Sequence, residues 1–310
     1  MSNGKRFKSI RLALAGFFLL LSLLAFSGFG AFAAFIMHAE CAPAVLSWIS
    51  GASLWSIAIV MFHMLLARYA GRVYCSVLCP LGIMQDIAGL LPVAKNSYRR
   101  DLMPLRCIIL GTVAGLLFCA SAAGFFFLDP YSIFGRGVSA FLWGGTAPLA
   151  VILLLTLFRK RFFCNVICPV GTMLGFVSRN PMRQLTISDK CVNCQKCVKV
   201  CPAGCIEIEK HLIDNERCLR CMECIAACPT RAIEFARVKS EVNRDRRELL
   251  KRTGYGAIGF AAGFILARLG VFSKIFSGRK TSGIYPPGAY KHPAGEHTNP
   301  HRGCMRKCLR

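Results

Sequence analysis

CVNCQKCVKVCP (Cys191–Pro202) and CLRCMECIAACP (Cys218–Pro229) decide how this chain is read. Both have the form C-x2-C-x2-C-x3-C-P, and the second copy begins 27 residues after the first. Three thiols at this spacing wrap a cuboidal iron–sulfur cluster from one tight loop, and the fourth reaches across to the neighbouring cluster. The expected ligand sets are therefore Cys191, Cys194, Cys197 and Cys228 for one [4Fe–4S] cluster, and Cys218, Cys221, Cys224 and Cys201 for the other. Paired C-x2-C units also hold zinc, but zinc takes four ligands per site and does not need the doubled run with both prolines. The repeat continues past the prolines: Cys205 aligns with Ala232, and Ile-Glu follows in each copy. A position that accepts alanine packs a small side chain, so Cys205 is read as core.

The rest of the composition places these runs beside a membrane. The 310 residues are 55% hydrophobic and 17% charged, with mean hydropathy +0.49. That balance excludes a disordered chain and a coiled coil. The 18 cysteines in so apolar a chain exclude a small secreted disulfide scaffold and point to ligation in a reducing compartment. The net charge of +24 invites a nucleic-acid reading, but the basic residues flank apolar blocks. Contact with lipid at a cytoplasmic membrane face is the simpler account, and no nucleic-acid partner is expected.

Four apolar blocks are long enough to cross a bilayer at about 20 residues each. They are Leu12–Met37, Val45–Ala67, Arg106–Leu128 and Ser139–Phe158, with Pro148 an expected kink. Lys and Arg concentrate before the first block, between Arg68 and Arg106, and after Phe158. The positive-inside rule puts those segments in the cytoplasm. A fifth, weaker span begins at Tyr255. The expected fold is a multi-pass α-helical membrane protein carrying a cytoplasmic α+β ferredoxin domain of the bacterial two-cluster type. Its divisions are a four-helix region (1–158), a cysteine loop (159–182), the ferredoxin domain (183–240), a basic segment with the fifth span (241–276), and an exported tail (277–310).

A second repeat lies in the apolar half. RVYCSVLCPLGIM (72–84) matches RFFCNVICPVGTM (161–173), and each copy follows a pair of expected membrane helices. Cys75 and Cys79, with Cys164 and Cys168, each form C-x3-C-P. Four thiols from two copies can meet about a pseudo-twofold axis around one metal or cluster. They can equally be reversible thiols, or pack at the membrane surface.

With both motifs present, the chain resembles the NapH-type family of membrane quinol dehydrogenase components, and its YCSVLCPLG and FCNVICPVG loops resemble those of NosR-type proteins. The resemblance covers about residues 10–240. It implies quinol as substrate, an inner-membrane location, and electron delivery through two clusters toward a periplasmic or membrane redox partner. Further on, Arg246-Arg247-Glu248-Leu249-Leu250-Lys251 resembles a twin-arginine export signal, although Asp245 stands where a hydroxyl residue is usual. A basic flank on an ordinary span is the plainer reading. Ile284–Ala289 resembles the start of NapG-type exported ferredoxins, where a cysteine run follows. Here only Cys304 and Cys308 follow before residue 310, so the tail is read as truncated and no cluster is assigned to it. His292, His297 and His301 add only adventitious metal binding.

Other residues are weighed more briefly. His63 in the second span is either a proton acceptor for quinol or a packing histidine. His38, Glu40 and Cys41 are expected in a solvated outer loop. Gln85 and Asp86 are expected to cap or orient the first cysteine loop. Cys107 and Cys119 are read as apolar packing. The function expected is iron–sulfur electron transfer from quinol; the competing class is a redox sensor or assembly factor without net electron flux.

Overall fold

Proline placement and apolar runs together cut the first half of the chain into helices. The computed structural model describes residues 3–26, 40–41, 43–45, 54–91, 102–119, 128–139, 147–236 and 246–269. Its helices in this half are α1 (Asn3–Phe26), α2 (Leu54–Ala70), α3 (Tyr74–Val77), α4 (Pro80–Ala88), α5 (Met103–Phe118), α6 (Pro130–Ser139), α7 (Ala147–Phe158) and α8 (Pro169–Val177). A π-helical turn, Phe163–Ile167, precedes α8. Five of them, α4 to α8, carry proline at one of their first two positions, where its missing N–H has no helical partner to lose. Pro148 is one of these. It is the second residue of α7, and residues 140–146 before that helix lie outside the described residues.

The expected spans are described in part. Among the described residues one helix, Arg6–Phe26, is long and apolar enough to cross a membrane. Leu54–Ala70, Met103–Phe118 and Ala147–Phe158 are apolar but shorter. The remainder of the expected first span, His38, and the tail with Ile284–Ala289, His292, His297, His301, Cys304 and Cys308 lie outside the described residues.

The C-x3-C-P loops fold into the core. Tyr74, Cys75, Leu81, Phe163, Cys164, Val166 and Leu174 are all buried. Glu40 and Cys41, expected in a solvated loop, are buried with them, and Tyr74 donates its hydroxyl hydrogen to Glu40. A carboxyl that gains a buried donor no longer needs water.

The ferredoxin lobes follow. Strand β1 (Gln184–Ile187) pairs antiparallel with β4 (Ile233–Ala236), Gln184 opposite Ala236 and Ile187 opposite Ile233. Between them, β2 (Ile206–Glu207) pairs with β3 (Leu212–Ile213), and the short helices α9 (Lys196–Val200) and α10 (Glu223–Ala227) follow the two cysteine loops. Backbone bonds hold this unit to the end of α2, from Met182 N to Arg68 O and from Arg183 N to Tyr69 O, both 3.0 Å. Gly71, at φ +80°, lets the chain turn there beneath Arg220, whose Nε would lie 2.6 Å from any Cβ added at Gly71.

Helix α11 (Arg246–Arg268) begins nine residues before the expected fifth span and lies along α5. Two charged side chains of its first turns, Glu248 and Arg252, are paired across to other elements. Arg252 meets Glu216 at 2.7 Å, and Glu248 meets Arg179 at 2.8 Å. Arg106 of α5 also meets Glu216, at 3.2 Å. The segment resembling an export signal is the first turn of a docked helix.

Candidate iron–sulfur sites

Left-handed backbone shapes the two ferredoxin loops. Asn193, Gln195 and Gly204 have φ of 51°, 57° and 57°, and the residues 27 positions later, Arg220, Met222 and Arg231, have 55°, 63° and 54°. Non-glycine residues occupy this region rarely, so three matched pairs show one loop built twice. Each turn starts a short helix, and each helix ends at a cysteine held extended by the following proline: Cys201 at φ −71°, ψ 111° and Cys228 at φ −76°, ψ 115°.

The result is two cavities, each about 320 Å³ including its mouth. Cys191, Cys194, Cys197 and Cys228 line the first. Cys201, Cys218, Cys221 and Cys224 line the second. Each run thus lends its fourth cysteine to the other's cavity. Among the described residues no three His, Cys, Asp or Glu side chains converge on a point that would hold a single metal ion. Thiols ringing a cavity suit a cuboidal cluster rather than a mononuclear ion. The first cavity opens to solvent, with Val192 and Cys194 exposed. None of the second cavity's cysteines is exposed: Cys201, Cys218 and Cys224 are buried and Cys221 is half-buried.

Cys205 is buried, as a core residue should be, but it also lines the second cavity. Its sulfur lies 3.6 Å from Cys201 Sγ. The hydrogen bond between Cys205 and Cys218 is the main cause that pulls the Cys218 thiol down to about 6. In the other lobe the matching Ala232 offers only its backbone N–H, 3.3 Å from Cys228 Sγ. The extra thiol was visible in the repeat as the difference between cysteine and alanine. Its direction was not. We expect Cys205→Ala to keep its iron and to lower the midpoint potential of the Cys218 site by about 40 mV, the equivalent of one ~1 kcal/mol hydrogen bond. Potentiometric EPR on the full chain measures this; an unchanged potential would refute the role.

The third group of thiols lies in the helical core. Cys79 stands at φ −69°, ψ 113° and Cys168 at φ −64°, ψ 118°, the conformation of Cys201 and Cys228. The two C-x3-C-P loops therefore end as ferredoxin runs end. Burial pushes the Cys79 thiol up, and the neighbouring Cys164, Cys75 and Cys168 push it the same way. All four thiols are buried close enough to sense one another. Gln85 accepts from Cys164 Sγ at 3.7 Å, and Asp86 holds Arg161 at 2.7 Å. Both residues thus orient the second loop, across the pseudo-twofold, rather than the first. His63 Nδ1 donates to Ile59 O at 2.8 Å and its ring meets Tyr74 edge-on; this is the geometry of a packing histidine.

Comparison with known proteins agrees with these three groups. Residues 52–97 and 141–187 match a family described as a 4Fe-4S binding domain, and residues 190–232 match a 4Fe-4S dicluster domain. The chain carries ferredoxin-type 4Fe-4S domains. It is 32% identical to the methylamine utilization ferredoxin-type protein MauN of Paracoccus denitrificans, over 47% of this chain and 53% of that protein. It is 31% identical to MauN of Methylorubrum extorquens, over 48% and 53%. YccM of Escherichia coli K12, which carries a provisional electron-transport name, is 28% identical over 50% and 46%. The chain spans about half the length of these relatives. No solved structure matches it significantly.

Proposed function

We propose that this protein is a membrane-bound iron–sulfur electron carrier. In this reading the eight ferredoxin cysteines hold two [4Fe–4S] clusters, divided as the cavities divide them, and Cys75, Cys79, Cys164 and Cys168 hold a third group. Such groups supply one-electron chemistry. The observation that carries the reading is the sequence of thiol sites: one in the helical core, one at the ferredoxin cavity with no exposed cysteine, one at the cavity with exposed Cys194. Arg72 spans the first step, since its guanidinium lies 3.9 Å from Cys75 Sγ and 3.2 Å from Glu216 O, two residues before Cys218.

The chain's own residues do three things along this route. The helical core keeps water from the inner thiols. The ferredoxin lobe keeps the middle site's cysteines buried or half-buried. Val192 and Cys194 present the outer site to a partner. We propose membrane quinol as donor, each quinol giving two electrons and two protons, and a redox protein as acceptor. The helices belong in an inner membrane, with α1 crossing it and the shorter apolar helices completing a multi-pass bundle around the C-x3-C-P core. The ferredoxin lobes then face the cytoplasm. The relatives' names support electron transport; methylamine, in the name of MauN, is not carried over on half a protein's length.

The test is reduction in native membranes. A quinol analogue should reduce the iron–sulfur EPR signals within the turnover time of respiration, and the purified chain should carry about twelve irons. Slow or absent reduction with the iron in place would instead favour a sensor or assembly role.

A further inference from the structure

We propose that Arg72 is the positioning residue that sets the reduction potential of the group held by Cys75, Cys79, Cys164 and Cys168, and that Asp86 makes its twofold mate Arg161 the weaker partner. The inference rests on the four-cysteine reading above and adds to it an asymmetry that the repeat conceals.

Arg72 and Arg161 each stand three residues before the first cysteine of their loop, and they are 0% and 1% exposed. Each places a guanidinium nitrogen 3.9 Å from its own cysteine's sulfur. Each then donates across the pseudo-twofold to the other loop's cysteine carbonyl: Arg72 to Cys164 O at 2.7 Å, Arg161 to Cys75 O at 2.6 Å. Gly82 and Gly171 leave the slots. A Cβ at either would lie 2.5 Å from Arg161 Nη1 or 2.7 Å from Arg72 Nη2. So far the halves are equivalent.

The partners differ. Asp86 takes Arg161 with both oxygens, at 2.7 Å each, and also pairs with Arg11 at 3.2 Å. Arg72 meets the neutral Asn165 Oδ1 at 2.8 Å and the backbone oxygen of Glu216. Among the described residues no carboxylate forms an ion pair with Arg72. The repeat shows why: the position matching Asp86 is Gly175, and the position matching Asn165 is Ser76. A buried cation without a counter-ion stabilises whichever redox state carries more negative charge. For a thiolate-held group that is the reduced state, so Arg72 raises the potential, while Asp86 offsets the same effect of Arg161.

Potentiometric EPR on the purified full chain in detergent tests this, with iron analysis alongside. The signal of interest is the one lost in the Cys75→Ser, Cys164→Ser double variant. Arg72→Gln should shift its reduction equilibrium at least about tenfold toward the oxidised state, about 59 mV for one electron. Arg72→Lys should keep most of the potential. Asp86→Asn should shift it in the opposite direction, and Arg161→Gln should lower it less than Arg72→Gln does. The signal of the site with exposed Cys194 should not move, and that of the Cys218 site should move less than the third signal does. Should Arg72→Gln fail to retain iron, the opposed shift of Asp86→Asn decides the matter. An unmoved midpoint in the iron-loaded variants, or a fall in Asp86→Asn, overturns the proposal. A wild-type chain with about eight irons and no third signal overturns the four-cysteine reading and this proposal with it.

Discussion

Replacing Cys228 with alanine should empty the site of the first cysteine run and leave the second run loaded. Cys228 belongs to the second run by sequence, yet it lines the cavity of Cys191, Cys194 and Cys197. Cys201→Ala should do the reverse and empty the site of Cys218, Cys221 and Cys224. Each variant should lose about four irons. The pattern is read by comparison: Cys228→Ala should give the spectrum and potential of Cys191→Ala, and Cys201→Ala those of Cys218→Ala. Solvent exposure gives a second readout. The site that survives in Cys201→Ala has exposed Cys194 and Val192 at its mouth, so an aqueous paramagnetic relaxing agent should broaden it. The site that survives in Cys228→Ala has no exposed cysteine and should respond less. Matching of Cys228→Ala with Cys218→Ala would overturn the crossed arrangement.

How much of this was readable beforehand depends on where each interaction's partners lie. The ferredoxin lobes were legible because their signal is local. Twelve consecutive residues carry four thiols and a proline, and the fold needs only to repeat the loop. The arginines of the second repeat were visible in RVYCSVLCPLGIM and RFFCNVICPVGTM as well, but their work was not. Each reaches a carbonyl about ninety residues away, and no periodicity reports such a contact. The same holds for Asp86, whose helix neighbours say nothing of Arg161. Glu40 was misread for a related reason. A lone carboxyl between apolar blocks looks solvated, and only the fold supplies Tyr74 as its donor. The ion pairs at the start of α11 were hidden likewise, since Arg179 and Glu216 stand 69 and 36 residues from their partners.

The same helix carries the second large effect. Gly259→Leu should break the α5–α11 pair, whereas changing Arg246 and Arg247 together to lysine should leave the protein at its normal level and location. The helices touch through backbone. A Cβ at Gly259 would lie 2.1 Å from Ile108 O, and one at Gly263 would lie 2.2 Å from Thr112 O. On the facing helix a Cβ at Gly111 would lie 2.2 Å from Gly256 O, and one at Gly115 would lie 2.3 Å from Phe260 O. Both helices thus present glycines four residues apart, the spacing that lets two helices approach to backbone contact. Leucine at Gly259 cannot enter without forcing the axes apart, at a cost of about 3 kcal/mol or more. Separation would also strain the pairs from Glu216 to Arg106 and Arg252, which join α5, α11 and the ferredoxin lobes. The expected result is a lower unfolding temperature in detergent and faster proteolysis ahead of residue 246. A cleaved twin-arginine leader makes the opposite demands: it needs the arginine pair and tolerates a bulky residue in its apolar stretch. Normal stability of Gly259→Leu, together with failure of the lysine pair to reach the membrane, would show that the segment acts as a leader and not as a fixed helix.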